Sequence, residues 1–121
     1  MITTLQVLKA VAERSRLRLL ALLESGEIPV GDIVLALEQS QPRVSRHLKL
    51  LAEAGLVENF RDSHHVYYRL TRDRAAHELL QSVLAGIVDD PEIQADRARL
   101  SAAREAREKD AYSRIGTKQA W

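Results

Sequence analysis

SQPRVSRHLKLLAEAGLV, residues 40–57, decides how this chain is read. Its apolar side chains fall at helical spacing. At roughly 100° per residue, Leu48, Leu51 and Gly55 lie within about 40° of Val44. Arg46, Lys49 and Glu53 point the other way, flanked by Arg43 and Ser45. Ser40 is a good N-cap, and Pro42 is tolerated in a first turn whose N–H groups have no intrahelical partner. Gly55 is a natural left-handed stop. The stretch reads as a helix with one packing face and one cationic face.

The flanking sequence gives that helix its setting. Upstream, Leu5, Leu8 and Ala12 form one stripe, with Val7 and Val11 beside it, which predicts a first helix over residues 3–13. Ser15 is the expected cap of a second helix reaching Leu23, with Leu17, Leu20 and Leu23 inward and Arg16 and Arg18 outward; Gly26 is its expected stop. EIPV is expected to be a short extended connector, because Pro29 disfavours helix at the residue before it. A third helix is expected over residues 30–37. Downstream the period changes to two. LVENF and VYYRL, separated by RDSHH, predict two strands with a tight turn at Asp62 and Ser63. The helical period returns over residues 73–88, DDP interrupts it, and Pro91 opens a last helix to about residue 112. The expected fold is mainly α with a small β-hairpin, a winged helix-turn-helix over residues 1–90. A charged helix or linker is expected over residues 91–121.

Composition narrows the chemistry. A chain of 121 residues, 45% apolar and 29% charged, suits one soluble domain with a modest core. It contains no cysteine, which excludes disulfides, iron–sulfur clusters, thiolate metal sites and a cysteine nucleophile. The N-terminus has no basic start followed by an apolar run, and no apolar run is long enough to span a bilayer, so a cytoplasmic location without a membrane partner is expected. Net charge is only +1, so the placement of charge matters more than its sum.

Two short helices in tandem, the second cationic, followed by a hairpin, suit double-stranded DNA. Arg43, Arg46 and Lys49 share a face with no acid before Glu53. Arg suits guanine O6 and N7, Gln41 at the helix start suits adenine, and Lys49 suits phosphate. The hairpin brings Arg61, His64, His65 and Arg69 to a turn where a wing would meet the backbone or minor groove. Any surface helix also carries a charged face; the adjoining hairpin is what favours DNA. His47 falls at the margin of the packed face and suits a structural hydrogen bond better than a base contact. Catalysis finds little support. There is no G-x-G-x-x-G and no P-loop, and Ser45 and His47 point about 200° apart on a helix.

ALEQSQPRVSRHLKLLAEAGLV, followed by HHVYYRL, resembles the arsenic-repressor (ArsR/SmtB) family of bacterial winged-helix regulators over roughly residues 17–70. The resemblance implies a homodimer that binds an inverted repeat and represses until an inducer arrives. It implies DNA contacts from Gln41, Arg43, Ser45, Arg46 and His47, a backbone contact from Lys49, and a wing carrying His64, His65, Tyr67 and Tyr68. Arsenic-sensing members carry three thiolates at the helix before the turn. The matching positions here are Pro29, Gly31 and Val34, none of which binds a soft ion. Of the family's second metal site, Asp73, His77 and Glu78 supply at most one end, with Asp89 and Asp90 the only later candidates. No metal, no cofactor and no catalytic residue is expected, and the inducer is not legible.

AAHELLQSVLAGIVDD is apolar around most of its circumference, as is the first helix with Ile2, Leu5, Val7, Leu8 and Val11. Such helices need a partner besides their own core. A two-fold dimer through Leu5, Leu8, Leu79, Leu80, Val83, Leu84 and Ile87 is expected, placing two recognition helices about 34 Å apart. A helix inside a larger monomer is the competing reading of these helices, and a dimerisation module without DNA binding is an alternative for the chain as a whole. The tail has mixed charges and is read as a solvated or partly packed helix. Its end, with Tyr112 and Trp121, resembles the linker of proteins in which such a winged domain precedes an S-adenosylmethionine-dependent methyltransferase.

Overall fold

The computed structural model describes residues 4–119, with side chains described through residue 111. Helices α1 (Thr4–Val11), α2 (Arg14–Leu23), α3 (Val30–Leu37) and α4 (Gln41–Glu53) are followed by strands β2 (Val57–Asp62) and β3 (His65–Leu70), then by α5 (Arg74–Ala85) and α6 (Pro91–Gln119). The expected connector is a strand, β1 (Ile28–Pro29), paired antiparallel to β3 with Ile28 opposite Tyr68 and Pro29 opposite Tyr67. The hairpin is thus the larger part of a three-stranded sheet of order β1-β3-β2. Pro29 fits because it sits on an edge strand, where a missing N–H costs little.

One core joins these elements. Leu19, Leu20, Leu23, Ile33, Leu48 and Leu84 are completely or almost completely buried in it. At the end of α4, Gly55 takes φ 74°. The Leu56 N–H reaches the Leu51 carbonyl at 3.0 Å and the Gly55 N–H reaches Ala52 at 2.9 Å, a Schellman closure whose following apolar residue, Leu56, is buried. Between the strands, Ser63 takes φ 59°, the left-handed conformation a two-residue hairpin turn requires.

Three local expectations change. The cap of α2 is Glu13, not Ser15: Glu13 is extended and its Oε2 accepts from the Arg16 N–H at 2.8 Å. Ser15 is buried instead and accepts from Gln39 Nε2 at 3.0 Å. Arg16 and Arg18 turn inward. Arg16 donates to the Ala10 carbonyl at 2.6 Å, satisfying the open end of α1. Arg18 is covered by α6.

The last helix is longer than expected and belongs to the core over its first half. Ile93 and Leu100 are buried with the other apolar side chains. Between them on the same stripe, Asp96 is almost fully buried. It accepts from Arg18 Nε at 2.9 Å, Arg18 Nη2 at 2.7 Å and Arg99 Nη2 at 2.7 Å. Arg18 also donates to the Leu37 carbonyl, and Arg99 to the Ala36 carbonyl. These are orphan acceptors at the end of α3, so α6 closes a helix end. Glu38 follows with φ 53°, and its carboxylate pairs with Arg99 Nη1 at 3.1 Å. The turn of the helix-turn-helix therefore rests against α6.

Candidate nucleic-acid interface

α4 presents the two faces its sequence demands. Val44, Leu48 and Leu51 are buried without exposure. Gln41, Arg43, Ser45, Arg46 and Lys49 are exposed. Ser40 Oγ accepts from the Arg43 N–H at 3.3 Å, so the helix starts where a cap and Pro42 predict. Among the described residues, the side chains of Arg43, Arg46 and Lys49 form no hydrogen bond or ion pair. Their donors are available to an outside anion.

His47 is placed differently from its neighbours. Its ring is half-buried, with Nδ1 3.5 Å from Arg16 Nη1 and 4.0 Å from Glu13. Burial holds its pKa below the ordinary value; Glu13 opposes this, and Arg16, Arg43 and Arg46 add to it. The ring braces α4 against the start of α2, the structural role that its place at the margin of the packed face favours. Burial alone would raise the Glu13 carboxyl, but the backbone N–H groups of Arg16 and Ser15 hold it below the ordinary value.

On the hairpin, Arg61, His64 and His65 are exposed at or beside the tip. Arg69 is not at the tip. It pairs with Glu58 at 3.1 Å and Glu27 at 3.3 Å, and its guanidinium lies 5.0 Å from the Phe60 ring centre. Through those partners Arg69 ties β2 and β3 to the segment before β1. The register opposes Arg69 to Glu58, a cross-strand pair only the folded hairpin reveals.

The two apolar helices also divide. Leu80 and Leu84 are buried in the chain's own core and cannot form a partner surface. Leu5 and Leu8 are 60% and 49% exposed on α1, Leu79 is 38% exposed on α5, and Val88 lies beyond it at 43%. Val83 and Ile87 are partly covered. A cavity of about 410 Å³ runs between α1 and α5, lined by Thr4, Val7, Ala76 and Leu79. His77 uses both ring nitrogens, with Thr71 O at 3.3 Å and Gln81 Nε2 at 3.1 Å, and Asp73 caps α5. The residues tied to the proposed linker resemblance, the Tyr112 side chain and Trp121, and the Ile2 of the first helix's apolar face, lie outside the described residues.

Sequence reasoning missed Asp96, Arg99 and Arg18 as the brace of the turn. The available signal was Asp96 standing midway between Ile93 and Leu100 on one helical stripe, a polar residue in an apolar row.

Two tandem helices, a cationic outer face on the second and a hairpin directly after it define a winged helix-turn-helix domain of the DNA-binding kind. The chain belongs to the bacterial arsR family of regulatory proteins, whose pattern matches residues 13–59. It is 46% identical over 68 residues to the arsenical resistance operon repressor of Escherichia coli (strain K12), covering 55% of this chain and 58% of that protein. It is 39% identical over 87 residues to the arsenic resistance transcriptional regulator ArsR2 of Pseudomonas putida, covering 69% and 76%. Against the crystal structure of the transcriptional repressor BigR from Xylella fastidiosa the TM-score is 0.63 at 32% identity, covering 70% of this chain and 83% of that one. Against the solution structure of a homodimeric winged helix-turn-helix DNA-binding domain from Mycobacterium bovis it is 0.62 at 31% identity, covering 71% and 79%. The chain spans little more than half the length of the Escherichia coli repressor. No described helix is long and apolar enough to cross a membrane.

Proposed function

We propose that this chain is a sequence-specific transcriptional repressor, acting in the cytoplasm, that binds an inverted-repeat operator as a homodimer. The observation that carries the proposal is the exposed, internally unpartnered set Arg43, Arg46 and Lys49 on a helix whose opposite face is fully buried. A helix so held presents donors at a spacing the major groove accepts, with Gln41 and Ser45 at its margins. Arg61, His64 and His65 on the wing reach the flanking backbone. The exposed leucines of α1 and α5 supply the two-fold contact, as the homodimer named for the Mycobacterium bovis domain supports.

Release does not run through cysteine. The positions that match the family's thiolates hold Pro29, Gly31 and Val34, and the sequence contains no cysteine. Footprinting on the chain's own upstream region tests the reading: protection of two half-sites about one helical turn apart is expected. Uniform, salt-sensitive coating of any duplex would sink it.

A further inference from the structure

A second cavity, of about 300 Å³, opens between α3, the wing and α6. Pro29, Leu35 and Tyr67 give it apolar walls, His65 stands at its edge, and Asp32 and Arg107 supply its charges. Asp32 is only 3% exposed. Its Oδ1 accepts from Arg107 Nη2. Its Oδ2 is shut off from solvent and has no hydrogen-bond partner among the described residues.

The orphan oxygen has a local cause. Asp32 is the third residue of α3, the position from which an acidic side chain commonly reaches back to the N–H of the cap residue. The cap here is Pro29, which has no N–H to offer. A buried carboxylate oxygen without a donor is costly, and a ligand that brings one recovers that free energy. Arg107 is more than half exposed, so most of its donors face outward while one holds Asp32. Beside this pair Leu35 is 61% exposed, with its apolar surface open to solvent.

We propose that this cleft binds a free α-amino acid with an apolar side chain, and that its occupancy sets operator affinity. The second half rests on the repressor reading above. Asp32 and Arg107 stand in contact with opposite charge, and an α-amino-acid head carries an ammonium and a carboxylate at similarly close separation. The ammonium donates to Asp32 Oδ2, the carboxylate accepts from the outward nitrogens of Arg107, and the side chain covers Leu35 and Pro29. Oδ2 is closed to solvent, so binding requires the Arg107 and His65 side chains to move aside and open a path to it, Arg107 passing from Asp32 to the ligand carboxylate. The cavity is at the small end of ligand sites, which suits a molecule of this size. The bound molecule touches α3, one turn ahead of the recognition helix, and Tyr67 and His65 of the wing. It therefore contacts both supports of the DNA-binding surface.

The test titrates the protein with L-leucine, L-valine, L-methionine and L-phenylalanine singly, reading amide resonances of residues 30–35 and 65–67. Saturable shifts are expected with at least one of them. Asp32→Asn and Arg107→Gln should each weaken the binding by about tenfold or more; because Arg107 is the ion-pair partner of the buried Asp32, the urea midpoint of each variant is measured alongside, and Arg107→Lys, which keeps the charge, should retain more of the binding than Arg107→Gln. The N-acetyl derivative of the same amino acid should fail, since its ammonium is gone. No saturable shift at about 10 mM, or equal binding of the N-acetyl form, overturns the site. Operator affinity is measured separately. A change on adding the amino acid to the wild type, absent in Arg107→Gln, is expected; binding without such a change overturns the regulatory half. If no duplex is bound specifically at all, the repressor reading fails while the titration still decides the site.

Discussion

Arg18 of α2 and Asp96 of α6 meet through two hydrogen bonds, at 2.9 Å and 2.7 Å, with the carboxylate almost entirely out of water. The bond from Asp96 holds the Arg18 guanidinium pKa above its ordinary value, against the opposing effect of burial. Because Arg18 and Arg99 also donate to carbonyls at the end of α3, the pair holds the turn that aims α4. Removing the acid takes both carboxylate hydrogen bonds from the largely buried Arg18, leaving it only the more distant Glu92 carboxylate at 3.6 Å, while Arg99 keeps Glu38. Asp96→Ala is expected to lower stability by about 3 kcal/mol, read from urea unfolding. An unchanged midpoint would show that the brace is ornamental to the fold.

The cationic face of α4 separates into two behaviours. Arg46→Ala should weaken operator binding by about 1–3 kcal/mol and blur discrimination at one base position. Lys49→Ala should weaken all duplexes alike and reduce the salt slope by about one. Fluorescence anisotropy on cognate and scrambled duplexes over a salt series distinguishes them. Arg69→Ala makes the complementary case: with Glu58 and Glu27 already neutralising it, its loss should lower thermal stability more than DNA affinity.

His47 gives the fold a pH dependence of known sign. Burial places its folded pKa below the ordinary value near 6.5, so the unfolded chain takes up a proton first as pH falls. Stability from the neutral ring is complete above about 6.5 and is lost as pH falls through the folded value. His47→Gln should flatten the stability profile in that window. Chemical unfolding at steps across the window measures it, and an unaltered slope in the variant would count against the buried ring.

The two kinds of leucine on α5 predict opposite phenotypes. Leu79→Glu, on the exposed side, should leave the fold intact and shift sedimentation toward the monomer. Leu80→Ala, one residue along, should lose about 2–5 kcal/mol of stability through the cavity it leaves. A Leu79→Glu variant that still sediments as the dimer would move the two-fold contact away from α5.

Much of the architecture is legible because short-range rules agree with the packing. Ser40, Pro42 and Gly55 mark the ends of α4, and Val44, Leu48 and Leu51 mark its inner face; each expectation rests on neighbours within a few turns. What was not legible depends on residues far apart in the chain. Arg18 reads as an outward charge until α6, nearly eighty residues on, lies across it. Arg69 reads as a wing cation until the register sets it opposite Glu58. Leu80 and Leu79 carry the same side chain, and only the angle at which α5 meets the core tells them apart. Exposure along the candidate DNA face was thus readable from spacing, whereas the contacts of His47 with α2 and of Arg69 with Glu58 and Glu27 depend on partners from other elements.

Pro29 holds three posts at once. It ends β1 opposite Tyr67, caps α3 without an N–H, and walls the cleft beside Asp32. Gly31, two residues on, has open space where a Cβ would stand. A side chain added at position 31 would therefore change only the lining of the cleft, whereas a change at position 29 alters a strand end, a helix start and the cleft wall together.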